Sequence, residues 1–152
     1  MAIVTDRVRE QLRSRFETRL TEPVQLTLYT RPGSSRLILP AGVGCATCED
    51  AREIGEALRD AAPDKISLDV IDITRDPDKS AGITEVPMIF VSSSASEARI
   101  RFQGLPAGTE FAALIDAIER VSRNDHGLSE VSLGELKKVT EPIEILVFAT
   151  PT

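Results

Sequence analysis

The chain has 152 residues, 41% hydrophobic and 28% charged, a composition that suits one globular unit with a full core. A formal net charge of −6 argues against nucleic acid as a partner. No apolar run reaches the roughly 18 residues that read as a membrane span, so no membrane association is expected.

The amino terminus, MAIVTDRVRE, lacks the apolar core of a secretory signal. A cytoplasmic setting is therefore expected. Structural disulfides are rare there, so two cysteines close in sequence point to redox or metal chemistry.

Val4, Val8, Leu12, Phe16 and Leu20 recur every four residues and predict a first amphipathic helix. Arg7, Arg9, Arg13, Arg15 and Arg19 supply its solvated face. Pro23 ends it, and Val24, Leu26 and Leu28 alternate with polar residues as a strand. Arg31-Pro32-Gly33-Ser34-Ser35 predicts a turn, after which Leu37-Ile38-Leu39 reads as either a short hairpin arm or a loop.

Gly42-Val43-Gly44 leads into Cys45-Ala46-Thr47-Cys48. Beyond it, Ala51, Ile54, Leu58 and Ala62 share one face of a second helix, with the CxxC on its first turn and Pro63-Asp64 as its break. Ile66, Leu68 and Val70 predict the next strand, ending near Ile73, and Asp76-Pro77-Asp78 opens a short helix toward Ala81 and Gly82. Pro87 precedes the strand Met88–Val91, Ser92-Ser93-Ser94 turns the chain, and Ala98, Ile100 and Phe102 mark the returning strand.

Gly104-Leu105-Pro106-Ala107-Gly108 introduces a helix bearing Phe111, Leu114, Ile115, Ile118 and Val121 on one face. A polar linker with the single histidine, His126, leads to a short helix near Ser132 to Val139 and a strand pattern over Ile143 to Phe148. After the first helix the core order is β, α, β, α, β, β, α. The first two strands, joined by a crossover, are expected to be parallel and the last two, joined by a short turn, antiparallel. This is an α/β fold with a mixed four-stranded sheet flanked by helices. Residues 1–123 form its domain, and 124–152 an extension of linker, helix and strand.

The cysteine pair carries the chemistry. A helix amino terminus has free N–H groups and a partial positive charge, both of which favour a thiolate at Cys45. Cysteines at such sites titrate at roughly 3.5–7.5, against about 8.5 when free. Cys48, one turn inward, is placed to attack a mixed disulfide formed at Cys45. Cys45 is thus the candidate nucleophile and Cys48 the resolving thiol. Glu49 and Asp50 disfavour a further negative charge, which limits the acid shift. A zinc or iron–sulfur site usually needs four ligands. The chain offers two cysteines and a distant His126, so a metal would have to be shared between chains. No cofactor is expected beyond the Cys45–Cys48 pair itself.

These features resemble a known family. The leading helix closing on Glu22-Pro23-Val24, the CxxC at Cys45–Cys48, Pro87 and the run FQGLPAGTEFAALIDAI from Phe102 to Ile118 are similar to the amino-terminal half of the protein disulfide oxidoreductases. Those are glutaredoxin-like proteins with two thioredoxin folds in tandem. Ile145–Thr152 looks like the first strand of their second unit. The resemblance implies a thioredoxin-like fold and reduction, formation or isomerisation of disulfides in protein substrates. It also implies an electron donor of the thioredoxin-reductase type. By position, Cys45 is the nucleophile, Cys48 resolves, and Val86-Pro87 forms a cis-proline loop facing the cysteines. In that loop the Val86 backbone would pair with an extended substrate.

Two features depart from the family. The Arg31–Val43 stretch is longer than its usual link between strand and CxxC, which would let it shield the cysteines or form a contact surface. The second CxxC is not in the sequence. A lone apolar strand at Ile143–Phe148 is an edge for pairing between chains, so a homodimer through it is expected.

Two other classes stay open. One is a thioredoxin-fold docking module with vestigial cysteines, which would bind its partner unchanged when both are replaced by serine. The other is a glutathione-dependent glutaredoxin. Glutaredoxins usually carry a Gly-Gly and acidic pair where this chain has Gly104–Gly108, which ranks glutathione lower.

Overall fold

The computed structural model describes residues 3–32 and 44–147. The Leu37-Ile38-Leu39 segment, most of the long Arg31–Val43 link and Phe148 lie outside them.

Helix α1 (Asp6–Arg19) is capped by Thr5, whose hydroxyl accepts from the Val8 N–H. Leu12 and Phe16 are its buried stripe, flanked by buried Val4 and Leu20. Strands β1 (Val24–Thr30), β2 (Ile66–Asp72), β3 (Met88–Ser93) and β4 (Ser96–Gln103) form one sheet in the order β2-β1-β3-β4. The pair β1/β2 is parallel, and β1/β3 and β3/β4 are antiparallel. Helix α2 (Cys48–Ala61) makes the crossover and packs on β1 and β2, α1 packs on α2, and α3 (Thr109–Arg123) covers β3 and β4.

The alternation expected from the sequence decides what the sheet buries. Val24, Leu26, Leu28 and Thr30 of β1 are buried while Gln25, Thr27 and Tyr29 are half-exposed. The ladder sets Leu26 opposite Val91 and Leu28 opposite Ile89. These join Phe16, Ile54, Leu58, Leu114 and Ile118 in one core. On the other side of the pleat the Tyr29 and Phe90 rings meet edge-on at 5.4 Å, with the Arg101 guanidinium 5.3 Å from the Phe90 centroid.

Two buried polar contacts lock the helices together. Glu119 of α3, 2% exposed, receives both a bond from Arg15 Nε and one of 3.1 Å from Arg15 Nη2. One arginine of the solvated face of α1 is therefore an anchor. Ser122, fully buried, accepts from the Thr21 and Glu22 N–H groups at 3.0 and 3.1 Å and donates to the Glu22 carbonyl at 2.6 Å. This fixes the turn between α1 and β1 against the end of α3.

Four expectations need correction. The CxxC does not lie wholly within the first turn of α2: Thr47 is the N-cap, Cys48 is the first helical residue, and Cys45 precedes the helix. Asp76 to Gly82 forms turns instead of a helix. Only Ser80 is buried there, so no apolar face rewards helix nucleation, and Gly82 sits at a left-handed φ of 81°. Ser80 closes the turn by donating to the Asp76 carbonyl at 2.8 Å.

The carboxy-terminal helix α4 spans Glu130–Leu136, earlier than Ser132 to Val139, because the Ser129 hydroxyl caps it by accepting from the Ser132 N–H. Residues 143–147 form no strand. Their apolar pattern is there, but no described segment pairs with them, and a strand is stable only in a ladder. Ile143, Ile145, Leu146 and Val147 are all exposed.

Candidate active site

Strand β1 delivers the chain to Thr30 at one end of the sheet, and the cysteine pair re-enters the described structure at the head of α2. Cys45 and Cys48 are joined by a disulfide, with S–S 2.02 Å and Cα–Cα 5.5 Å. Both are buried, Cys45 at 7% and Cys48 at 2% exposure. Thr47 makes no side-chain cap bond, so its hydroxyl does not satisfy the first-turn N–H groups of α2. The positive end of the helix dipole therefore meets the disulfide, while Glu49 and Asp50 occupy the same first turn and oppose it.

The Val86–Pro87 bond is cis. Pro87 is buried and Val86 half-buried, and both stand just outside the ladder, whose first β3 residue, Met88, pairs with Tyr29 on β1. The Pro87 carbonyl accepts from the Gly104 N–H at 2.8 Å, and Gly104 takes a φ of 91° after β4. Only glycine adopts that φ readily. The proline entry to β3 and the exit of β1 thus share one end of the sheet with the head of α2.

The structure adds residues that sequence reasoning missed. Cys48 lines a cleft of about 380 Å³ together with Thr30, Arg31, Arg52, Asp72 and Arg75. Thr30 and Asp72 close β1 and β2 and face each other in the ladder. The Thr74 hydroxyl and amide both donate to the Asp72 carboxylate, at 2.6 and 2.9 Å, and Arg75 lies 3.5 Å away. The Thr74 hydroxyl, first among these, holds Asp72 below the usual carboxylate range. Arg52 follows Cys48 by four residues, one helical turn on the same face; that spacing is the signal that could have found it. His126 is exposed in the linker, its Nδ1 accepting from the Leu128 N–H at 3.0 Å. Among the described residues no group of three or more His, Cys, Asp or Glu side chains is arranged to hold a metal ion. No helix among them is long and apolar enough to cross a membrane.

No protein-family pattern matches the chain, and no curated protein is similar to it in sequence. Solved structures are. A protein disulfide oxidoreductase from Aeropyrum pernix K1 superposes with a TM-score of 0.69 at 26% identity, over 89% of this chain and 55% of that one. The NTD_N/C domain of alkylhydroperoxide reductase AhpF from Enterococcus faecalis (V583) superposes with a TM-score of 0.63 over 84% of this chain and 56% of that one. At 22% identity the second likeness shows the fold alone. The chain thus spans a little over half the length of each. It is a thioredoxin-fold chain with a CxxC disulfide, whose structural relatives include a protein disulfide oxidoreductase.

Proposed function

We propose that the chain is a dithiol oxidoreductase that exchanges its Cys45–Cys48 disulfide with disulfides of protein substrates. The observation that carries this reading is the CxxC disulfide closed across the head of α2. In the reducing direction, the Cys45 thiolate attacks a substrate disulfide. A bond forms from Cys45 to one substrate sulfur, and the second sulfur leaves as a thiolate that takes up a proton. Cys48, deprotonated, then attacks Cys45 Sγ, which restores the internal disulfide and releases the first substrate sulfur. Two electrons pass to the substrate, and an external dithiol reductant of the thioredoxin-reductase type returns them. Oxidation of substrates runs the same steps backwards, and no cofactor beyond the pair enters.

Val86 and Pro87 form the substrate face in this reading, supported by their place at the same end of the sheet and by the Val86 backbone lying outside the ladder. A cytoplasmic setting accords with it. The test is reduction of insulin with dithiothreitol as donor: the chain accelerates precipitation of the insulin B chain, and Cys45→Ser does not. Equal rates with both proteins would overturn the proposal.

A second reading, a docking module with idle cysteines, is favoured by one observation: both cysteines are more than nine-tenths buried. Partner capture that survives replacement of both by serine, together with no insulin reduction, would select it.

A further inference from the structure

Among the described residues, the cleft beside Cys48 holds a cation without a counter-ion. Arg52 is half-buried on α2, and its Nε is shut off from solvent with no hydrogen-bond partner. Among the described residues Arg52 enters no ion pair. The other charges in the cleft are accounted for differently. Asp72 is engaged by Thr74 and Arg75. Arg31 Nη2 donates to the Thr84 carbonyl at 3.1 Å. Glu49 and Asp76 are exposed and make no ion pair with Arg52. A guanidinium is always charged and presents a planar fork of donors that fits a carboxylate. Arg52 lines the cleft and its charge has no ion-pair partner among the described residues, so a carboxylate entering the cleft would meet a guanidinium not already engaged.

The place matters because of what borders it. Cys48 lines the same cleft, one helical turn from Arg52, and Cys45 Sγ is bonded to Cys48 Sγ. Cys45, the residue that would carry a substrate, is therefore bonded to a sulfur that borders the cleft.

We propose that Arg52 determines substrate specificity by binding a carboxylate carried next to the reacting sulfur, selecting thiols and disulfides flanked by an aspartate or glutamate side chain. This rests on the oxidoreductase reading for its biological meaning, but binding can be measured without any exchange. Glutathione carries the same chemistry in a tripeptide, and the experiment separates the two sources.

The test titrates the oxidised full chain with fluorescent peptides in which serine replaces cysteine and the flanking residue is Glu or Gln, and with S-methylglutathione. The Glu peptide is expected to bind about tenfold tighter than the Gln peptide, equivalent to about 1.4 kcal/mol. Added salt should narrow the gap. Arg52→Gln should abolish it and Arg52→Lys should retain part of it. Arg52-dependent binding of S-methylglutathione as well would extend the site to the tripeptide; its absence would assign the site to acidic protein segments.

Equal affinity for the Glu and Gln peptides in the wild-type chain would overturn the proposal without any variant being needed. So would a preference that survives Arg52→Gln, or an Arg52→Gln effect on reduction potential with no effect on peptide selection. Because none of the probes can exchange disulfides, failure here is separate from failure of the oxidoreductase reading, which insulin reduction reports.

Discussion

Cys48 is the first residue of α2, and Cys45, bonded to it through sulfur, stands before the helix begins. The two thiols of the reduced pair therefore differ in surroundings. Cys48 belongs to the helix and is the more buried; Cys45 faces the helix end from outside. This asymmetry supports assigning attack to Cys45 and resolution to Cys48.

Reduced Cys45 should titrate below the ordinary thiol value of about 8.5, because the helix end stabilises its thiolate. Glu49→Gln with Asp50→Asn should lower its midpoint further by removing two opposing charges. The rate of alkylation by iodoacetamide against pH in a Cys48→Ser background reads both effects. A midpoint above the free-thiol value, or one raised by the double substitution, would contradict this electrostatic account.

Removing Arg15 strands the Glu119 carboxylate in a nearly solvent-free position. Arg15→Ala should cost about 2 kcal/mol of unfolding free energy, below the 3–5 expected for a fully buried pair because Arg15 is half exposed. Arg15→Ala with Glu119→Ala should cost less than the two single changes summed. Denaturant unfolding of the four proteins checks this, and strict additivity would show that the contact carries no coupling.

Asp72 gives stability a predictable pH dependence. Its folded-state pKa is lowered by the Thr74 hydroxyl, then by the Thr74 amide and Arg75. A group depressed on folding stabilises above its unfolded pKa, about 3.9 for aspartate, and that stability is lost as pH falls through the folded value. The wild-type advantage over Asp72→Asn should be level at neutral pH and shrink below about pH 4. A difference that grew with acid would refute the assignment. The effect should be small, since the site borders solvent.

The exposed run Ile143, Ile145, Leu146 and Val147 is an apolar segment with no partner in the described chain. Self-association through it is expected at high concentration. Light scattering should show mass rising with concentration, and Ile145→Lys with Val147→Lys should suppress the rise. A monomer at all concentrations for the unsubstituted chain would rule this out.

The sequence made most of the fold legible because its hydrophobic periods are clean. Period two in Val24, Leu26 and Leu28 set which face of β1 is buried, and the Ile54, Leu58 and Leu114, Ile118 spacings did the same for α2 and α3. It failed where long-range partners decide. Val70 fits an alternating strand yet is 37% exposed, since β2 is an edge of the sheet. The 143–147 pattern is that of a strand, but pattern supplies no neighbour. At the site, the CxxC and Pro87 could be read from local signals. The four-residue spacing from Cys48 marks the position of Arg52, but not its lack of an ion-pair partner among the described residues; nor could the pairing of Arg15 with Glu119 be read, because its partner is distant in sequence.

In the proposed exchange Cys45 attacks and Cys48 resolves. The measurement that meets it most directly is trapping of the mixed disulfide with a protein substrate, resolved by non-reducing mass spectrometry. Reduced Cys48→Ser should accumulate a covalent complex through Cys45 that dithiothreitol releases, while reduced Cys45→Ser should accumulate little. Equal trapping by both variants, or trapping through Cys48 alone, would contradict the account.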